Sequence, residues 1–221
     1  MKRALVLGAS GGIGAAVVDA LGARDCAVTA LSRSADGMDV TDEVQVEAAL
    51  KSVEGPFDLI FVAIGALTAQ GREPEKAIRD LDPDQTAKLF AVNATGPMLI
   101  LKHALPLLPR DARSVYAVLS ARVGSIGDNA IGGWHSYRAS KAALNQLIHG
   151  AAIELGRTHK EAIAVCLHPG TVETAFTEKY AGRHKTVSAE DAAQNLLHVI
   201  DTLTPEHSGG FYDYAGKEIP W

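Results

Sequence analysis

Tyr137 and Lys141, in Tyr137-Arg138-Ala139-Ser140-Lys141, put a phenol and an ammonium four residues apart. On a helix that spacing brings two side chains to one face, a single turn apart. A phenol that exchanges protons near neutrality must fall about three units from its reference pKa of about 10, a preference of roughly 4 kcal/mol for phenolate. One ammonium about 4 Å away supplies that order of energy at an effective dielectric of about 20. The chemistry implied is delivery and recovery of a proton. With 5 Tyr and 10 Lys in 221 residues, chance yields the spacing roughly 0.2 times, so the pair needs company. Ser120 supplies it. It follows the apolar run Ser114 to Leu119, at the carboxyl end of an expected strand, where open parallel sheets bind ligands and a hydroxyl can hold a substrate oxygen.

A second constellation opens the chain. The run Arg3 to Leu7 leads directly into Gly8-Ala9-Ser10-Gly11-Gly12-Ile13-Gly14 and then into an Ala- and Val-rich helical stretch. A turn this tight uses backbone angles closed to side chains, and a glycine at the helix start lets a pyrophosphate reach the free amides there. The same residues read as Gly-x-Ser-x-Gly, the elbow of a nucleophilic serine, which would make Ser10 the centre of a serine hydrolase. Such an elbow takes an oxyanion amide from a loop after an earlier strand, and here the turn follows the first strand of the chain. The dinucleotide reading is preferred. About twenty residues past the turn, a carboxylate would bind the ribose 2′-hydroxyl of NAD, whereas an arginine accommodates the 2′-phosphate of NADP. The second strand ends Ala30-Leu31-Ser32-Arg33-Ser34. With a hydroxyl and a guanidinium there and no acid to repel a phosphate, NADP(H) is favoured and NAD(H) is the alternative.

Such groups meet only if several strand ends share one edge. Strand-length apolar runs at Arg3 to Leu7, Ala27 to Leu31, Leu59 to Ala63, Ser114 to Leu119, Ile163 to Leu167 and near Phe211 alternate with longer helical stretches. These stretches are Ile13 to Ala23, Asp42 to Val53, Asp84 to Leu108, Ser136 to Arg157 and Ala189 to Thr202. The pattern predicts an α/β fold, a single-domain Rossmann-type doubly wound parallel sheet with helices on both faces, spanning residues 1–221. Thr41 before Asp42 and Glu43, and Ser188 before Glu190 and Asp191, mark helix starts, with acids in the first turn where the dipole favours them.

Composition narrows the function classes. Lys plus Arg is 21 and Asp plus Glu 26, a net charge of −5 with no like-charge block, so nucleic acid is not expected as a partner. Cys26 and Cys166 sit in apolar strand-like runs as small hydrophobes. Eight scattered histidines and no Cys-x-x-Cys argue for no metal. Met1 to Leu7 is too short for a signal core or a membrane span, so the expected location is the cytoplasm.

Taken together, these landmarks resemble the short-chain dehydrogenase/reductase family along essentially the whole chain. They come in the family's order: the glycine turn, Asp39-Val40, Asn93 in Val92-Asn93-Ala94-Thr95-Gly96, Ser120, Tyr137 with Lys141, and Pro169-Gly170 with Thr174. The compact ending Gly209-Gly210-Phe211-Tyr212-Asp213-Tyr214 is similar to the C-factor-like short reductases. The resemblance implies a catalytic tetrad of Asn93, Ser120, Tyr137 and Lys141 acting on a carbonyl or alcohol. It implies nucleotide contacts from Gly8, Ser10, Gly12, Ile13, Gly14, Ser32, Arg33, Asp39, Val40, Ala63, Gly65, Asn93, Tyr137, Lys141, Pro169, Gly170, Val172 and Thr174. In it Asp39 meets the adenine, Lys141 holds the nicotinamide ribose and Thr174 contacts the carboxamide. Three departures stand out: Val62-Ala63-Ile64-Gly65 replaces the usual Asn-Asn-Ala-Gly and leaves only backbone contacts; Gly11 replaces a frequent Arg or Lys; Leu7 replaces Thr.

Asn93 permits a further step. Pro97 lies four residues on in the same expected helix and cannot donate to the Asn93 carbonyl, which predicts a kink and a free acceptor. In the family a carbonyl here holds a water that links the lysine to solvent. Small residues Ala139, Ala142, Ala143, Gly150 and Ala151 on the helix of Tyr137 permit close contact with either the sheet or a second subunit, and the resemblance, in which this helix often pairs with its symmetry mate, implies a homodimer or homotetramer. Phe176 to Val187 should border the pocket, and Trp134 and His135 should pack at the helix start. The reading from another class is a nucleotide-binding signalling or regulatory protein without turnover.

Overall fold

A computed structural model provides the fold and describes residues 1–69, 71–173 and 186–221. Thr174 and most of the pocket-bordering segment, residues 176–185, lie outside the described residues. Six strands, β1 (Arg3–Leu7), β2 (Ala27–Leu31), β3 (Leu59–Val62), β4 (Ser114–Leu119), β5 (Ala162–His168) and β6 (Phe211–Asp213), pair in the order β2-β1-β3-β4-β5-β6. Every pairing is parallel. The strands are apolar on both faces because both faces are covered. Leu5 and Leu7 point into a core shared with α3 (Glu43–Lys51), α5 (Gly96–Ala104) and α6 (His135–Thr158), while Ala4 and Val6 point into one shared with α1 (Gly12–Gly22) and α7 (Ala189–Thr202). Chain order reverses between β1 and β3, and at such a switch point the carboxyl ends of the strands open a crevice.

Several local features differ from the sequence pattern. The long helix expected from Asp84 to Leu108 divides into α4 (Pro83–Phe90), a π-helical turn Ala91–Thr95, α5 and a 3-10 turn Leu105–Leu107. Gly96 donates to Ala91 O across that widened turn, which absorbs Pro97 without ending the helix. A short helix, α2 (Arg33–Asp36), follows β2 and was not evident from the sequence. Asp42 rather than Thr41 caps α3, accepting from Val44 N and Gln45 N. β3 ends at Val62, one residue early. Ser188 does cap α7, accepting from Asp191 N. No helix among the described residues is long and apolar enough to cross a membrane.

Candidate active site

The glycine turn is held by its own backbone. Gly8 N donates to Leu31 O at 2.9 Å and Gly11 N to Gly8 O at 3.0 Å. Gly8 has φ +85°, and a Cβ there would lie 2.5 Å from Ala63 O; one on Gly14 would lie 2.2 Å from Gly8 O. Neither position accepts a side chain. Helix α1 begins with no side-chain cap and no acid in its first turn, and Ser10, Gly11 and Gly12 are exposed at its start. Uncapped amides at a helix start, open to solvent over glycines, fit a pyrophosphate. Ile13 is half-buried behind them. Among the described residues Ser10 makes no hydrogen bond to a histidine, and no hydrolytic triad is assembled around it there.

At the end of β2 the candidate ribose contacts are more constrained than the sequence suggested. Ser32 is buried and its hydroxyl caps α2, accepting from Ala35 N at 3.1 Å. Asp36, brought back by that helix, accepts from Ser32 N at 2.7 Å, so an acid does stand near this end of the strand. Arg33 is exposed. Asp39 is half-buried, and hydrogen bonds from Thr41 Oγ1 and Thr41 N hold its carboxyl below the ordinary range. Val40 is buried against Gly96, where a Cβ would come within 2.8 Å of its side chain.

The catalytic candidates gather at the carboxyl ends of β3 and β4. Tyr137 is buried in the first turn of α6 among Leu67 and Leu89, with Trp134 edge-on at 6.2 Å. Lys141, one turn later and also buried, donates to Leu119 O at 2.9 Å. Gly65 borders both groups of this cluster: a Cβ there would meet Lys141 Nζ at 3.2 Å and Asn93 Oδ1 at 3.4 Å. Asn93 binds through its whole side chain. Its Oδ1 accepts from Ala66 N at 2.7 Å, and its Nδ2 donates to Ala66 O and to Ser140 Oγ. It thereby ties the loop after β3 to α6. Ser120 is buried and donates to Asn145 Oδ1 at 2.6 Å.

The electrostatics correct one expectation. Burial pushes the Tyr137 phenol up rather than down, and burial lowers Lys141 to about 8. The sequence argument counted the attraction of an ammonium and omitted the cost of drying both groups, which burial imposes on the phenol and the ammonium alike. Tyr137 is therefore a protonated donor in this geometry. On β5, burial and the Arg122 charge bring His168 down to about 4, so it is neutral across ordinary pH, and burial pushes Cys166 to about 12. After β5, Gly170 (φ +82°) lies over the Tyr214 ring, and Val172 is buried and bridges to Val187. Pro169 is half-buried beside them.

A family model described as enoyl-(acyl carrier protein) reductase, of the short-chain alcohol dehydrogenase type, matches residues 8–210. The chain belongs to the short-chain dehydrogenase/reductase family. Within it, the chain is 34% identical over its full length, and that of its relative, to 1-hydroxy-2-glutathionyl-2-methyl-3-butene dehydrogenase of Rhodococcus sp.. It is 39% identical to the C-signal protein of Myxococcus xanthus over 66% of this chain and 84% of that one. Among solved structures, the carbonyl reductase Sniffer of D. melanogaster superposes with a TM-score of 0.85 at 20% identity, covering all of both chains. A short-chain dehydrogenase/reductase of Burkholderia multivorans with bound NADP gives 0.80 at 25% identity, covering 100% of this chain and 99% of that one.

The structure also brings in residues that the sequence reading of this family member missed. Glu75, buried, accepts hydrogen bonds from Ser136 Oγ and Ser136 N at the start of α6, and its carbonyl accepts from Trp134 N at 2.6 Å. Trp134 takes the left-handed conformation there, φ +52°. Asn145 stands four residues past Lys141 and eight past Tyr137, a helical spacing that could have flagged it.

Proposed function

We propose that residues 1–221 form one nucleotide-binding domain of a cytoplasmic, NADP(H)-dependent oxidoreductase that interconverts a carbonyl and an alcohol. The observation that carries this reading is the start of α6, which buries protonated Tyr137 and, one turn on, Lys141, the latter with Asn93 beside Gly65 at the carboxyl edge of the sheet. NADP in the Burkholderia multivorans structure supports the choice of nucleotide, as does the exposed guanidinium of Arg33 at the end of β2. The turn from Gly8 to Gly14, with Ser32, Arg33, Asp39, Val40, Ala63 and Gly65, would hold the nucleotide, and Pro169, Gly170 and Val172 would border its nicotinamide end. When bound, that group supplies the hydride equivalent. This chain's own residues do the rest: Ser120 orients the substrate oxygen, Tyr137 gives it a proton, and Lys141 keeps that proton mobile. Proton donation by a positioned side chain is typically worth about 10²- to 10⁴-fold in rate. Pairing of α6 with a second copy would make the enzyme a homodimer or homotetramer.

A panel of aldehydes, ketones and quinones, read by NADPH consumption at 340 nm, tests the activity. Tyr137→Phe should abolish turnover while nucleotide affinity stays within about twofold. More than a tenth of the wild-type rate in that variant removes Tyr137 from the mechanism.

A further inference from the structure

Ser120 carries one hydroxyl hydrogen, and the structure gives it to Asn145 Oδ1 at 2.6 Å. In that state Ser120 presents only lone pairs to the pocket. It can receive the hydrogen of an alcohol, but it has none to offer a carbonyl oxygen. Asn145 is itself 2% exposed, and its Nδ2 is buried without a hydrogen-bond partner among the described residues. A half-turn of the carboxamide exchanges Oδ1 and Nδ2 with no change of shape. Nδ2 then donates to Ser120 Oγ, and the serine hydrogen is released toward the pocket. Each orientation leaves one amide atom unsatisfied, an N–H group in the first and a C=O in the second, and the orphaned C=O is the better tolerated. Each orientation pairs one amide atom and orphans the other, so a hydrogen bond from Ser120 to bound substrate adds to one side of that balance.

We propose that Asn145 is a positioning residue for Ser120, its carboxamide turning to set whether the serine hydroxyl accepts from an alcohol or donates to a carbonyl. The inference rests on the role given to Ser120 above. An amide is the side chain suited to this task because it both donates and accepts. A carboxylate in its place can only accept, and would hold the serine hydrogen permanently.

The test compares Asn145→Asp, Asn145→Leu, Ser120→Ala and both double variants, using NADPH with 4-nitrobenzaldehyde and 9,10-phenanthrenequinone from pH 5.5 to 8.5. At pH 8.5 Asn145→Asp should lose about 10²-fold in kcat, the cost of one preorganised donor to a developing oxyanion, with NADPH affinity unchanged. Its rate relative to wild type should recover at least tenfold as the new carboxyl protonates and regains a donor. Tyr137 on α6, and Cys166 and His168 on the facing strand β5, are common to both proteins and cancel in the ratio; Lys141, one turn from the new carboxylate, is raised by it, and a shift there that controlled the rate would persist in the Ser120→Ala background. Asn145→Leu should lose a smaller, pH-independent factor. In the Ser120→Ala background neither substitution should cost anything further, and the pH dependence should vanish.

A multiplicative loss in the double variants would mean that Asn145 acts through Lys141 or through packing, and overturns the proposal. So does a pH-independent loss in Asn145→Asp. Wild-type turnover by Ser120→Ala sinks the catalytic reading itself, whereas a damaged Ser120→Ala beside fully active Asn145 variants sinks only this inference. A readout without substrate completes the test: in asparagine-¹⁵N-labelled protein the Asn145 carboxamide signal, assigned by its loss in Asn145→Asp, should shift in Ser120→Ala. An unmoved signal overturns the coupling even if neither carbonyl is reduced.

Discussion

Replacing Lys141 by Met should leave a protein whose stability no longer gains from alkali. Lys141 is 3% exposed, and burial brings its pKa from 10.5 to about 8. At 1.36 kcal/mol per tenfold, that drop is a penalty of about 3 kcal/mol on the folded, charged form. Between about pH 8 and 10.5 the unfolded chain binds this proton and the folded chain does not, so stability rises with pH across that window. Wild type carries nearly the whole penalty at pH 7 and has shed all but about 1 kcal/mol of it at pH 10. Met has nothing to titrate. The variant also loses the donor to Leu119 O, at a cost of about 1 to 3 kcal/mol, but that cost is the same at both pH values and drops out of the comparison. Urea unfolding of both proteins without nucleotide at pH 7 and pH 10 reads the result. The stability of wild type relative to the variant should rise by about 2 to 3 kcal/mol from pH 7 to pH 10, or roughly 5 to 10 °C in Tm for a chain of this size. A difference that is flat or falls with pH refutes the buried ammonium. The same variant should lose turnover.

Three further outcomes follow from particular contacts. Gly14→Ala places a methyl 2.2 Å from Gly8 O, so the turn must move and NADPH affinity should fall at least about tenfold, or 1.4 kcal/mol, by fluorescence titration; unchanged affinity would show that the turn does not touch nucleotide. Arg33→Asp should reverse a wild-type preference for NADPH over NADH of about ten- to a hundredfold, roughly 1.4 to 3 kcal/mol. Equal wild-type affinities for the two nucleotides would take Arg33 out of ribose recognition and point to Asp36 as the stronger influence. Glu75→Gln should cost about 1 to 2 kcal/mol at pH 7, because burial raises its carboxyl but the hydrogen bonds of Ser136 and Gln85 outweigh burial and leave it below the ordinary value of 4.5. That contribution is complete above about pH 4.5 and is lost as pH falls through the lower folded value, so acid unfolding curves of the two proteins should converge.

Much of this protein was written in short-range signals. Strand β1 and its glycine turn follow from five residues running into Gly8, and α7 from Ser188 with two acids behind it, because a strand run or a cap involves only neighbours in the chain. The spacing of Tyr137 and Lys141 likewise needed only a helix to put them on one face. What the sequence left open was decided by groups that meet only when layers pack. Ser120 and Asn145 are 25 residues apart, Asn93 and Ala66 27, and Glu75 and Ser136 61, so no local pattern announces any of these pairs. Gly96, which closes the widened turn onto Ala91 O, packs on Val40 from a distant segment, and Asp36 reaches Ser32 only through a helix of four residues, too short for a periodic signal. The protonation states belong here too. Spacing shows which charges are near, but whether a phenol rises or falls depends on how much water the surrounding chain excludes, and Leu67, Leu89 and Trp134 close over Tyr137 only in the folded molecule.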